Sequence, residues 1–384
     1  MKILWLASWY PNAYEPANGD FIQRNAKAVA EQFPLDLLHV VQAGAHIKTK
    51  ASQHYAEEGS LREWLYSFSF RPLKINVLDK IRYNICYYLF YNKILSAYFI
   101  QHGKPDLIHV HLPMKAGILA RALWKRYGIP YIVSEHASMY DEGAKDHFDK
   151  RSYFFRNQTK KIFRDAKVVT NVSAAMAANM KILFGIKQIE IIRNLADTSL
   201  FYYQPLSNYC FRWIHVSTMN HQKNIEGILD AFAILKQQRN DWELLLVGPV
   251  SDLLRQRIQE KKLEEKIIIA GEVTHEKVAA YMQQSNAMVM FSRNENFPCV
   301  MVEAICCGLP VVASKAGGMA EAIDSSNGIL VEKEDISGLV QALNKVMDQY
   351  ENYSRESIAA AASNQYSKEK IAGQIIDLYG QFLA

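Results

Sequence analysis

Glu295-Asn-Phe-Pro298-Cys-Val-Met-Val-Glu303-Ala-Ile-Cys-Cys-Gly308-Leu-Pro310-Val-Val-Ala-Ser-Lys-Ala-Gly317-Gly318 carries more chemical information than any other stretch of this chain. Pro298 suits the first position of a helix, where its missing N–H costs nothing, and Gly308 with Pro310 fits a C-terminal stop. The spacing predicts a short helix over about 298–307. The start of such a helix leaves backbone N–H groups unpaired and carries partial positive charge, which makes it a seat for phosphate. Glu295 precedes that seat, and Glu303 lies roughly 8 Å along the axis at ~1.5 Å per residue.

An ionised carboxylate only accepts hydrogen bonds and can take both hydroxyls of a vicinal diol. The order carboxylate, helix start, carboxylate therefore mirrors hexose, diphosphate, ribose, which is a nucleotide-diphospho-sugar. Taken singly, each glutamate has a plainer explanation, as a dipole complement before a helix or as a solvated helix residue. Glu303, however, is flanked by Val300, Met301, Val302, Ala304 and Ile305, and a carboxylate in such apolar company needs a partner.

The stretch resembles a known signature. Glu-x7-Glu, then Ala-x-x-Cys-Gly-x-Pro-Val-Val-Ala-Ser and a Gly-Gly-x-x-Glu ending at Glu321, is similar to the pattern of glycosyltransferase family four (group 1), retaining enzymes of GT-B fold. The resemblance implies an α/β chain of two Rossmann-like domains facing across a cleft. It places an acceptor-side domain over 1–200, a donor domain over 201–365, and a C-terminal helix over 366–384 packing back on the first domain. It spans nearly the whole chain, strongest over 215–331 and weakest over 43–104.

The pattern along the chain agrees with that class. Short apolar runs alternate with amphipathic stretches, as expected of parallel sheets covered by helices. Strands are predicted over 2–7, 35–42, 107–111, 131–134, 167–172 and 190–193, then over 213–217, 242–248, 266–270, 287–291, 311–313 and 328–331. The stretch Asp197 to Cys210, with Pro205, Ser207 and Asn208, lacks periodicity and reads as the linker. No Gly-x-Gly-x-x-Gly follows a strand and no Walker lysine motif occurs, so a dinucleotide or P-loop site has no support. At 384 residues two cores are expected, and ligands of open α/β sheets bind beyond the carboxyl ends of strands.

Residues after strands are accordingly the candidates. Gly19, in Ala17-Asn18-Gly19-Asp20, lets backbone approach a ligand, and the family sets such a loop against the donor phosphates and sugar. His136 follows the run ending Ile132-Val133-Ser134-Glu135; the resemblance gives it access to the donor sugar and the reacting centre, whereas His111 serves the fold. Ser217-Thr218-Met219-Asn220-His221-Gln222-Lys223 corresponds to a family segment in which an arginine and a lysine hold the diphosphate. Lys223 is kept and Thr218 stands where the arginine would be. Gly248 and Val273 correspond to walls around the base, while Asn194 to Asp197 and Phe201 match the interdomain hinge. The resemblance thus implies His136, Glu295 and Lys223 in catalysis. Gly19, Thr218, Lys223, Gly248, Val273, Asn296, Phe297, Val300 and Glu303 would bind the donor.

What the resemblance implies chemically is a retaining hexosyl transfer from a UDP- or GDP-sugar to a glycan or lipid-linked acceptor, in cell-surface polysaccharide or lipopolysaccharide assembly. Retention by double displacement needs a carboxylate nucleophile, none stands out in the first half, and the family instead implies front-face attack. No Asp-x-Asp occurs, so no metal is expected, nor any cofactor beyond the nucleotide-sugar co-substrate. Alternatives are a nucleotide-sugar epimerase of the same fold, a non-catalytic nucleotide-sugar-binding protein, and, least supported, an NAD-dependent oxidoreductase.

Charge and composition bound the surroundings. Cys86, Cys210, Cys299, Cys306 and Cys307 show no paired metal spacing and fit reduced thiols. No basic-apolar leader opens the chain, so a cytoplasmic protein is expected. The net charge of +5 is carried by 61–104, which holds Arg62, Arg71, Lys74, Lys80, Arg82, Lys93 and Lys104 against Glu63 and Asp79. The same segment is rich in Trp, Tyr and Phe. Two readings stand open: a face for an anionic membrane on its inner side, or core aromatics beneath a solvated basic face. A helix over about 77–101 is too interrupted by charge to span a bilayer, and no nucleic-acid partner is expected.

Overall fold

The computed structural model describes residues 1–43, 51–141, 143–206 and 210–383. All the apolar runs predicted above form strands. In the first half these are β1 (Ile3–Ala7), β2 (Leu35–Gln42), β5 (Leu107–His111), β6 (Tyr131–Glu135), β7 (Val169–Asn171) and β8 (Ile189–Ile191). Two further strands, β3 (Ala51–Glu58) and β4 (Leu61–Phe68), were not expected. They form an antiparallel hairpin turned at Gly59, whose φ is 60°. The sheet order is β3-β4-β2-β1-β5-β6-β7-β8, parallel but for the edge strand β3. An edge strand packs little of its surface, so Ser52-Gln53-His54-Tyr55-Ala56-Glu57-Glu58 shows no apolar run for a sequence reading to find. Central β1, by contrast, is buried throughout as Ile-Leu-Trp-Leu-Ala, the continuous hydrophobic run of a strand covered on both faces.

The second half is a parallel sheet in the order β11-β10-β9-β12-β13-β14. Its strands are β9 (Phe211–Val216), β10 (Trp242–Val247), β11 (Ile267–Gly271), β12 (Ala287–Met290), β13 (Val311–Ser314) and β14 (Gly328–Val331). Helices α1 (Asp20–Ala30), α2 (Asn76–His102), α3 (Ala116–Tyr127), α4 (Tyr153–Asp165) and α5 (Ala174–Phe184) connect strands of the first sheet. Helices α6 (Ile225–Gln238), α7 (Asp252–Glu260), α8 (His275–Gln283), α9 (Cys299–Cys306) and α10 (Ile336–Asp348) serve the second, and α11 (Arg355–Tyr366) and α12 (Lys368–Leu383) follow. Of the linker stretch, residues 207–209 lie outside the described residues.

Helix α12 ties the end of the chain to its beginning. Ile371, Ala372, Ile375, Leu378 and Tyr379 recur on one helical face and are buried against Ile3, Trp5 and Leu37. The Tyr379 hydroxyl accepts from Trp5 Nε1 at 2.8 Å and lies 2.7 Å from His109 Nδ1. In the segment 61–104, Trp64, Phe68, Tyr87, Tyr91 and Tyr98 are core, so those aromatics follow the core reading. Several hydrophobic residues that α2 turns outward are aliphatic: Val77, Ile81, Ile85 and Leu89 are each more than half exposed. Among the described residues no helix is long and apolar enough to cross a membrane.

Tyr379→Ala should lower the midpoint of urea denaturation by the equivalent of about 3–5 kcal/mol, since it empties a buried aromatic site and strands two polar partners. Tyr379→Phe, which keeps the ring, should cost only about 1–2 kcal/mol. Equal losses from the two variants would show that the hydroxyl, not the packing, holds α12.

Candidate functional site

Helix α9 sits beyond the carboxyl end of β12, after the loop Phe291 to Pro298. It begins one residue later than the spacing predicts: Pro298 is extended, at φ −70° and ψ 129°, and acts as the N-cap, its carbonyl accepting from Met301 N at 3.2 Å. Proline's fixed φ serves either role; here its ψ turns the incoming loop toward the first sheet. Gly308, at φ 76°, ends the helix in the left-handed conformation that glycine adopts without strain.

Both carboxylates are buried and both are paired. Glu295 is 4% exposed and accepts from Lys223 Nζ at 2.5 Å. Lys223 ends a 3-10 turn, His221–Lys223, that follows β9 and is capped by Asn220 Oδ1. Glu303, 1% exposed, meets Arg24 Nη1 at 2.5 Å and His275 Nε2 at 3.0 Å. Burial is the largest influence on the Glu303 carboxyl and raises its pKa, but the His275 hydrogen bond and the Arg24 charge together outweigh it and hold it below the usual value. Arg24 comes from α1, in the other half of the chain, so this ion pair spans the cleft.

The loop before α1 explains why Arg24 arrives there. Gly19 is the N-cap of α1, at φ 72° and ψ 27°. A Cβ at that position would lie 2.7 Å from the Trp9 carbonyl carbon, so only glycine lets the loop fold back so tightly. That turn aims Phe21 at His136, with ring centroids 4.9 Å apart. His136 follows β6 and stacks on His111, its Nε2 3.4 Å from His111 Nδ1. Burial pushes its pKa down to about 4, so its imidazole is neutral near pH 7. Its Nδ1 is buried without a partner among the described residues. Neighbouring Glu135 accepts from Tyr140 Oη and from the N–H groups of His136 and Ala137, yet burial still lifts its pKa to about 7.

Other candidate residues divide by what their side chains touch. The Asn296 amide reaches the first half: Oδ1 accepts from Ser173 Oγ at 2.6 Å, and Nδ2 donates to the His136 carbonyl at 3.2 Å. Phe297 is core, packed on Tyr366 beneath the Arg193 guanidinium, and its carbonyl accepts from Asn194 Nδ2. Both residues therefore join the halves of the chain. Val300 and Val273 are half-buried against the second core, and Thr218 is exposed. Gly248, at φ 131°, passes so close to the Ser217 carbonyl that no Cβ fits. Glu321 accepts from the N–H groups of Ala174 and Ala175 at 3.0 and 2.8 Å and pairs with Arg193 at 2.6 Å. Arg24 and His275 were missed by sequence reading. The available signal was position, since Arg24 lies five residues after Gly19 and His275 two after Val273.

Comparison with known proteins agrees with this architecture. The family model described as glycosyl transferases group 1 matches residues 211–365, and that described as glycosyltransferase family 4 matches 54–200. A putative teichuronic acid biosynthesis glycosyltransferase, TuaC of Bacillus subtilis, is 22% identical over 366 residues, covering 90% of this chain and 89% of its own. Sucrose-phosphate synthase from Thermosynechococcus elongatus superposes with a TM-score of 0.76 at 18% identity, covering 99% of both chains. Anabaena HepE, solved in complex with UDP, does so with a TM-score of 0.74 at 19% identity over the whole of both. The chain belongs to the group 1 glycosyltransferases of family four, and its fold is GT-B.

The buried imidazoles give the protein an acid limit. Burial depresses His109 to about 3 and His136 to about 4, and carries His111 well below its ordinary value. Between about 6.5 and 4 the unfolded chain binds protons that the native chain refuses, so stability falls on acidification through that window. Each fully buried imidazole contributes on the order of 1.4 kcal/mol per pH unit. Glu135, with its raised pKa, works in the opposite sense, but this one carboxyl is set against these three imidazoles and against His39 and His215, which burial also depresses to about 4. The thermal midpoint should therefore drop from near neutrality to about pH 5, and His136→Gln should flatten the slope; an unchanged slope would place the acid-sensitive group elsewhere.

Proposed function

We propose that this glycosyltransferase moves a hexose-type sugar from a UDP- or GDP-sugar, with retention and without a metal, to a glycan or lipid-linked acceptor. The observation that carries the reading is the arrangement at α9: Glu295 on Lys223 before the helix start, and Glu303 held by Arg24 and His275 four residues into it. The helix start and Lys223 provide positive charge where a diphosphate departs. Glu295 would take hexose hydroxyls and Glu303 the ribose diol. His136, neutral and with an unpartnered Nδ1, can hydrogen-bond a sugar hydroxyl on the facing wall.

In the front-face reaction the bond from the sugar's anomeric carbon to the phosphate oxygen breaks and its electron pair leaves with the nucleoside diphosphate. The acceptor hydroxyl bonds to the same face and gives its proton to a donor phosphate oxygen. Each unit placed on a growing glycan needs the donor held while that hydroxyl approaches, which suits a cleft closed by side chains from both halves. The likeness to TuaC, a putative teichuronic acid biosynthesis glycosyltransferase, and to HepE, solved in complex with UDP, supports a polysaccharide setting and a nucleotide donor.

For the acceptor, the outward stripe Val77, Ile81, Ile85, Leu89 on α2 supports peripheral binding to the inner face of a membrane. Four-residue spacing puts these side chains on one face, and exposed Arg71, Lys74, Lys80 and Lys93 lie among them. Burying such a side chain is worth about 1.5 kcal/mol or more, and basic neighbours add attraction to anionic lipid. The stripe borders a groove of about 660 Å³ lined also by Tyr88 and Phe154.

Glu295→Ala should lower release of free nucleotide from UDP- or GDP-sugar by roughly 100-fold or more with folding intact; near-wild-type turnover rejects the donor assignment. Conversion of the donor without any acceptor would instead indicate an epimerase, and binding without release a non-catalytic protein. Ile85→Glu should abolish co-flotation with anionic vesicles at low salt, and absence of wild-type flotation removes the membrane element of the proposal.

A further inference from the structure

The cleft as it stands is short of positive charge. A donor diphosphate brings negative charge to the start of α9, and the departing nucleoside diphosphate concentrates more there. Lys223 is already bonded to Glu295, and Thr218, at the start of the same loop, has none to give. Among the described residues, the other side-chain cation paired with a carboxylate of this site is Arg24, apart from His275 if protonated.

Its position suits more than a strut. Cys299 and Glu303 are four residues apart on α9 and so share one helix face, and the Arg24 guanidinium lies against both. It is therefore beside the first turn of α9, where phosphate would sit, and not only beside the carboxylate. Asp20, one turn earlier on α1, steadies it through Nη2 at 3.2 Å. Nε is buried with no acceptor among the described residues, so one donor of the guanidinium is left unspent. His275 also holds Glu303, so the carboxylate keeps a partner if Arg24 turns away.

We propose that Arg24 is the second diphosphate-binding cation: beyond its pair with Glu303, it engages the donor phosphates once a ribose diol takes that carboxylate. The inference rests on the donor site proposed above. A planar guanidinium with several N–H donors suits phosphate oxygens and exchanges one acidic partner for another without leaving the site. Because Arg24 belongs to the first half and α9 to the second, its shift couples donor charge to closure of the cleft.

Calorimetric titration with UDP, GDP and the matching nucleosides tests this on Arg24→Ala, on Arg24→Gln, which keeps most of the side chain, and on either combined with Thr218→Arg. The charge-removing variants should weaken binding of the diphosphate at least ten-fold while leaving nucleoside binding unchanged or tighter. Thr218→Arg should restore part of the lost diphosphate affinity, a rescue that a purely structural Arg24 would not show. Equal weakening of nucleoside and diphosphate, no weakening of either, or no rescue overturns the proposal. Should the unaltered protein bind neither UDP nor GDP, the donor site itself fails; if it binds and the Arg24 variants bind equally, only the role of Arg24 does.

Discussion

Two buried carboxylates, one in the loop before a short helix and one within it, set the terms for the rest of this molecule. Glu295 and Glu303 are nearly free of solvent, and a carboxylate so placed stays ionised only beside a cation or strong donors. Lys223 must therefore come from the loop after β9, His275 from the start of α8, and Arg24 from the far wall of the cleft. The Gly19 turn, the closed approach of α1 and the burial of α9 all follow from meeting that demand. Glu295 is satisfied within the second half, whereas Glu303 draws one of its partners from the first.

The two halves are held at the same place. Asn296 reaches Ser173 and the His136 carbonyl, Asn194 reaches the Phe297 carbonyl, and Glu321 caps the start of α5. Helix α12 adds an apolar anchor through Tyr379. The polar ties from Asn296 and to the Phe297 carbonyl lie just before the start of α9, where the two halves meet. A rigid sheet on either side with polar, exchangeable contacts between them is what a cleft needs to admit and release a charged ligand.

Much of the fold was legible because parallel strands buried on both faces leave continuous apolar runs, as in Ile3–Ala7 and Trp242–Val247. The hairpin β3–β4 was not, since its outer strand is half polar and gains its place from pairing, not burial. At the site, the spacing of Glu295, Pro298, Glu303 and Gly308 located the helix to within a residue. It could not show that Pro298 caps the helix rather than opening it, because proline's φ fits both. Nor could it show that the Asn296 and Phe297 side chains are spent on joining the halves. Arg24 escaped notice for a physical reason: an arginine on an amphipathic helix looks like any solvated charge until the partner across the cleft is known. The aromatic residues of 61–104 were ambiguous in the same way, and packing made them core while leaving aliphatic side chains outside.

The central claim is that the start of α9, between its two carboxylates, is the seat of the donor diphosphate and is closed over by the Gly19 loop. Hydrogen exchange of the intact chain with and without UDP or GDP measures this most directly, peptide by peptide. The account expects exchange to slow upon nucleotide binding in the segments 295–303 and 19–24, with the remaining surface of both sheets little changed. Slowing confined to other segments, with 295–303 exchanging as fast as in the free protein, would contradict it.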